Sequence, residues 1–256
     1  MRKFSLIGIA IVVVFAFMAT ACSSDEDSVS DAPVPSTVPT ATTVPSMAPT
    51  PADEGPDDST ARPSSSFTIE VWADNWFSLH VNGEFVGEDS VPITTERSFN
   101  AETFSFEATY PLTIAIQAKD FKETDSGIEY IGLANQQMGD GGLIAQITDN
   151  ATGEVIAVTN AGWTALVVHR APLNTSCERD PDPDTTCEFE ITETPADWTS
   201  VGFDDLAWAA ATEWTAADVG PKDGYDEIRW DISARLIWGT DLEVDNTILF
   251  LLVVTG

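Results

Sequence analysis

The chain has 256 residues, 11 Lys+Arg against 42 Asp+Glu, and a formal net charge of −31. A charge of that size and sign repels a polyphosphate backbone and anionic headgroups, which excludes nucleic acid as a partner. It favours solubility and attracts cations, although an acidic surface adapted to salty water would look the same.

The chain opens Met1-Arg2-Lys3, runs through an apolar stretch from Phe4 to Met18 and reaches Ala19-Thr20-Ala21-Cys22. Two cations, a short apolar core and small residues before a cysteine have the order of a secretory signal. The last four residues resemble the lipobox of bacterial lipoproteins, with Ala19 where leucine is most common. The resemblance implies that residues 1–21 are a signal peptide and that Cys22 becomes the lipidated first residue. Loss of Arg2 and Lys3 leaves 9 cations against 42 acids, a net −33. Two or more acyl chains give stable membrane attachment, at about 0.8 kcal/mol per buried methylene. The alternative is an uncleaved N-terminal anchor helix. Both readings place the rest of the chain outside the cytoplasm.

Ser23 to Ser66 is built of Ser, Thr, Pro, Ala and acids, with recurring Val-Pro and Ala-Pro pairs. Too little apolar surface is present to offset chain entropy, so residues 22–66 read as a lipidated cysteine followed by a disordered acidic stalk. A flexible coil of that length spans roughly 35–40 Å.

From Phe67 to Gly256 the pattern is β throughout. Phe67–Trp72, Phe77–Val81, Phe104–Phe106 and Leu112–Ile116 alternate apolar and polar residues. Leu143–Thr148, Glu154–Val158, Trp163–His169, Leu236–Trp238 and Thr247–Val254 are further strands. Turn signals at Asn82-Gly83, Gly139–Gly142 and Asp149–Gly153 separate them, and Asn82-Gly83 predicts a two-residue hairpin. One short helix is expected near Asp205–Thr212, capped by Asp204 or Asp205. No helical pattern is long enough for parallel crossovers. The fold class is therefore all-β: an antiparallel β-sandwich or jelly roll over residues 67–256, with one or two short helices.

Besides Cys22 only Cys177 and Cys187 occur. In an exported chain a pair so close is expected to form a disulfide around its Pro/Asp-rich loop.

Several segments carry a resemblance when taken together. Asp74-Asn75-Trp76 leads to Val81-Asn82-Gly83, and Leu112–Ala118 is followed by Lys119-Asp120. Trp198 precedes Phe203-Asp204-Asp205-Leu206-Ala207-Trp208, and Ile237-Trp238 comes late. These resemble the galactose-binding-domain-like β-sandwich, with Leu206 where that family usually has a small serine. The resemblance implies the sandwich fold and carbohydrate binding.

Catalytic signatures are missing from the sequence. No nucleophile sits on a Gly-rich elbow, no HxxxH spacing occurs and no glycine loop would cradle phosphate. His80 reads as a solvated strand position and His169 as the rim of a strand. The ligand-binding candidates are Asp74 and Asn75, which interrupt an apolar alternation, and Gln136, Gln137 and Asp140 in an amide-rich loop after Tyr130. Carboxylate and amide groups suit sugar hydroxyls or Ca²⁺, and Asp74 and Asp245 are the candidate metal ligands. Trp72, Trp76, Trp163 and Trp214 would stack on a sugar if exposed and otherwise fill the core.

The sequence thus reads as a membrane-anchored, extracytoplasmic, non-catalytic binding module for glycan or a surface protein. No cofactor is required by it, and Ca²⁺ is possible. A secreted hydrolase with an unrecognised site and a Ca²⁺-stabilised adhesive module are the alternatives. Replacing Cys22 with Ser is expected to release the protein from membranes into the soluble fraction. Membrane retention of that variant would contradict lipidation.

Overall fold

The computed structural model describes residues 63–94 and 99–256. The expected signal segment, Cys22 and almost all of the expected stalk lie outside the described residues. Fifteen strands follow in chain order: β1 Ser65–Asp74, β2 Trp76–Val81, β3 Glu84–Glu88, β4 Ala101–Ala108, β5 Leu112–Lys119, β6 Ile128–Glu129, β7 Gln137–Met138 and β8 Gly142–Asp149. The remainder are β9 Val155–Val158, β10 Thr164–Arg170, β11 Glu190–Ile191, β12 Ala209–Ala210, β13 Thr212–Trp214, β14 Leu236–Trp238 and β15 Asp245–Val254. Two four-residue helices, α1 Pro183–Thr186 and α2 Ala216–Val219, are added to them.

The first sheet runs β13-β14-β8-β1-β4, with β9 also on β8. The second runs β11-β10-β15-β5-β2-β3, with β12 also on β10. All pairings are antiparallel. Phe67, Ile69 and Val71 of β1 meet Leu79, Ile116, Ile248 and Phe250 of the second sheet in one buried cluster. This is an antiparallel β-sandwich, as the alternation implied.

β15 has no polar alternation because both of its faces are covered. Ile248 and Phe250 enter the central core, while Leu249 and Leu251 pack outward with Trp198 and beside Phe203 and Trp208. Trp72 of β1 is likewise buried on the outer side of its sheet, with Phe99, Ile144, Val219 and Leu236. Long C-terminal segments thus cover part of both outer faces.

The Asn82-Gly83 hairpin forms as expected, with φ of 53° and 87° and with Val81 opposite Glu84. The helix does not fall at Asp205–Thr212. Asp204 Oδ1 instead accepts the Leu206 N–H at 3.2 Å, and Asp205 accepts the Thr164 hydroxyl at 2.6 Å. The same short acids that cap helices also close turns. The helix comes later, at α2, where Thr215 and Asp218 form a reciprocal capping box.

Cys177 and Cys187 are bonded. They pack with Ile128, Ile131 and Met138, so the bridge sits against the β6–β7 hairpin. The chain-entropy contribution of a loop this short is roughly 2.5–3 kcal/mol. Thiol titration of the unfolded, unreduced domain is expected to find no free thiol at either position. The Cys177→Ala/Cys187→Ala double variant is expected to lose stability of that order in denaturant titration, and equal stability would contradict the packing role.

Candidate functional site

Between β1 and β2 the chain crosses from the first sheet to the second through one residue, Asn75. Asp74, the last residue of β1, pairs with Gly142 and is 1% exposed. The Asn75 N–H donates to Lys119 O at 2.8 Å, and its Oδ1 accepts the Phe121 N–H at 2.6 Å. Asn75 therefore fastens the corner to the end of β5. Asp120 follows β5 directly and is 2% exposed.

The Gly139-Asp140-Gly141-Gly142 segment closes over this corner. A Cβ on Gly139 would run into the Asp120 carboxylate, and one on Gly141 into the Trp238 indole. Only glycine permits so close an approach at these two positions, and Asp140 is left as the one long side chain of the turn. The Gly141 N–H donates to Leu242 O at 3.0 Å, which ties the turn to the loop before β15.

These elements enclose a cavity of about 40 Å³, lined by Asp74, Asn75, Phe121, Glu129, Tyr130, Gln137, Asp140 and Lys222, with Thr94 and Phe99. Lys222 Nζ lies 3.6 Å from Asp74 Oδ2 and 3.6 Å from Asp140 Oδ1. It also lies 4.6 Å from the centre of the Phe99 ring. Gln137 Nε2 donates to Glu129 Oε2 at 2.9 Å. Asp74 Oδ2 and both Asp120 carboxylate oxygens are buried without a hydrogen-bond donor. The Phe121 N–H close to Asp120 is the one already given to Asn75.

The electrostatics follow from that crowding. Burial pushes Asp74 up to about 8; Lys222 pulls it down and Asp140 and Glu129 push it further up. Asp120 stands well above its ordinary value, first through burial and then through Asp74, Glu129 and Asp140. Burial raises Glu129 against the bond from Gln137. Burial would lower Lys222, but Asp74, Asp140 and Glu129 hold it above its usual value.

Asp140 also lines a second, open cleft of about 430 Å³ with Trp214, Asp218, Thr240, Asp241, Leu242 and Glu243. The half-buried Trp214 ring is held by its Nε1 bond to Gly239 O at 3.1 Å. Among the described residues, no three His, Cys, Asp or Glu side chains gather as metal ligands.

Of the sequence candidates, Asp74, Asn75, Gln137 and Asp140 line the small cavity together. Gln136 does not: its amide nitrogen donates to Glu178 O and Asp180 O, both at 2.8 Å, and its Oε1 accepts the Gly132 N–H. Asp245 is also apart. Arg170 Nε holds its Oδ1 at 2.9 Å, and its Oδ2 accepts the Asp241 N–H at 3.1 Å. Trp72 and Trp163 are core residues, and Trp76 carries Lys119 over its ring at 4.6 Å. His169 is buried rather than at an open rim, with Nδ1 3.0 Å from Asn246 Oδ1. His80 is half-buried, edge-on to Phe85. Glu129 and Lys222 were not singled out in the sequence, and Asp120 stood there only within the galactose-binding-like pattern, not as a site residue. A carboxylate directly after an apolar strand was the available signal for Asp120, and none existed for Lys222.

Comparison with known proteins gives no matching family model, no matching curated protein and no matching solved structure.

Folded Asp74 keeps its proton up to about pH 8, whereas the unfolded chain gives it up near 3.8. Between those values the folded state holds the extra proton, so stability falls as pH rises through the window. Asp120 and Glu129 act in the same direction. Asp74→Asn removes the titration with little change of shape. Its melting temperature is expected to fall less steeply between pH 4 and pH 8 than that of the wild type. Parallel profiles would contradict the assignment.

Proposed function

We propose that the chain is a lipid-anchored, extracytoplasmic and non-catalytic binding module whose ligand is a carbohydrate held at the end of the sandwich. The observation that carries this reading is the position of Asp140. It belongs both to the enclosed carboxylate cavity and to the open cleft that contains Trp214. A cleft of about 430 Å³ lies within the ordinary range for small-ligand sites. An indole beside several carboxylates is a combination that suits a sugar, with an apolar ring face to stack and oxygens to accept from hydroxyls. The galactose-binding-like motifs point the same way. A hydrolase reading draws on Asp74, a buried carboxyl that stays protonated at neutral pH, as a general acid requires.

A glycan array followed by calorimetry, with Ca²⁺ and again with chelator, tests the proposal. Trp214→Leu keeps much of the packing, removes the aromatic face and is expected to weaken binding about three- to tenfold, the worth of an aromatic contact. Glu243→Ala, an exposed change in the cleft, is expected to weaken it in the same direction. Binding that neither variant changes would place the ligand elsewhere. Turnover of a glycoside or ester would favour the hydrolase, and absence of binding to any glycan would overturn the proposal.

A further inference from the structure

The small cavity has features that a general sugar site does not explain. Its volume of about 40 Å³ admits one or two water-sized groups and no sugar ring. Its wall holds three carboxylates, those of Asp74, Glu129 and Asp140, against one ammonium, that of Lys222. Behind them Asp120 adds a fourth acid, with neither oxygen hydrogen-bonded. Asp74 Oδ2 faces the cavity, is buried and lacks a donor apart from the long ion pair to Lys222.

An acceptor-rich pocket of this size fits a small cationic head group. Lys222 already demonstrates the fit with the chain's own ammonium, placed between two carboxylates and over an aromatic face. Its side chain is 36% exposed and both of its ion pairs are 3.6 Å long, so it holds the pocket loosely. Asp140, 43% exposed at its side chain, lines both the cavity and the Trp214 cleft.

We propose that this cavity receives the ammonium group of an amino sugar, with Asp74, Glu129 and Asp140 as acceptors and Lys222 as a built-in competitor. The arriving cation drives the Asp74 proton off to solvent and leaves its carboxylate as an acceptor. The inference rests on the carbohydrate reading above and narrows it: the sugar body occupies the cleft and its amine the cavity. Neutral and N-acetylated sugars lack the cation, and an acetamide is too large for the space. Ca²⁺ would need a closed shell of oxygen ligands, and no such group of side chains is preformed among the described residues.

Calorimetry on the full domain with glucosamine, glucose, N-acetylglucosamine, n-butylammonium and calcium chloride separates the possibilities. Glucosamine is expected to bind at least about tenfold more tightly than glucose or N-acetylglucosamine, a difference of about 1.4 kcal/mol. Asp140→Asn, at a partly exposed position, is expected to remove most of that preference. Lys222→Ala is expected to tighten glucosamine and n-butylammonium together, because it removes the competing charge. Equal binding of glucose and glucosamine would overturn the ammonium site while leaving the carbohydrate reading intact. Binding of n-butylammonium without any sugar would keep the ammonium site and overturn the carbohydrate reading. Saturable 1:1 Ca²⁺ binding that excludes the amine, weaker amine binding by Lys222→Ala, or no binding of any probe would each overturn the proposal.

Discussion

The pairing of β5 with β15 is the constraint on which the remaining structure depends. Eight residue pairs run from Leu112 opposite Val254 to Lys119 opposite Thr247, in the middle of the second sheet. Both strands are buried on both faces over most of their length, so the peptide groups there must find their partners in the ladder. The ladder cannot extend indefinitely, and where it stops the chain must supply other partners. Asp120 and Asn246 stand at that point, and the Asp120 N–H donates to Asn246 O at 2.9 Å. Asn75 then takes over, donating to Lys119 O and accepting from Phe121. The polar end of the sandwich is thus the termination of its most apolar element.

That termination has an electrostatic consequence. Carboxyl groups brought inside by the backbone cannot all ionise, since each charge is poorly solvated and repels the next. Burial holds Asp74 and Asp120 above the ordinary carboxyl range, while the charge of Asp74, Asp140 and Glu129 keeps Lys222 above its usual value against burial. A core built for stability alone would place apolar groups here, because uncompensated buried acids cost several kcal/mol each. Groups whose titration is strongly shifted gather at binding and catalytic sites for this reason. Here the shift coincides with an enclosed space and with acceptors that no donor fills, and it is this coincidence, rather than acidity, that separates Asp74 from the chain's other acids.

The sandwich was readable because its long strands either obey a period of two or, like β15, run apolar without interruption, and most of the strands outside that reading show neither. Phe67–Trp72 and Phe77–Val81 alternate cleanly and form β1 and β2. β6, β7, β11, β12 and β13 are two or three residues long, too short for a period to show. The helix was misplaced because Asp204 and Asp205 offer capping chemistry that the chain spends on turns, whereas α2 is only four residues long. At the site, Asp74 and Asn75 were legible as polar residues that break an apolar run, and Asp140 as an acid among glycines. Gln136 and Gln137 looked equivalent in sequence, yet Gln136 stands just before β7 and bonds the carbonyls of Glu178 and Asp180, and only Gln137, inside β7, meets Glu129. Lys222 reaches the cavity through a long excursion after β13, a tertiary placement with no local signature.

Gln136 and the disulfide carry the argument one step further, since they connect the site to a part of the chain that does not touch it. The hairpin of β6 and β7 holds Glu129 and Gln137, and Tyr130 lies in its turn. Two paired residues on each strand cannot hold such a hairpin in water by themselves. Its support comes from outside: Ile128 and Met138 pack on Cys177 and Cys187, and Gln136 bonds the carbonyls of Glu178 and Asp180. The disulfide therefore orders the Pro/Asp loop, and the ordered loop in turn fixes the wall of the cavity. An acceptor wall must be rigid to be selective, because flexible carboxylates would follow any cation that approached. Cys177 and Cys187, although distant in sequence from every cavity residue, act as positioning residues for that wall.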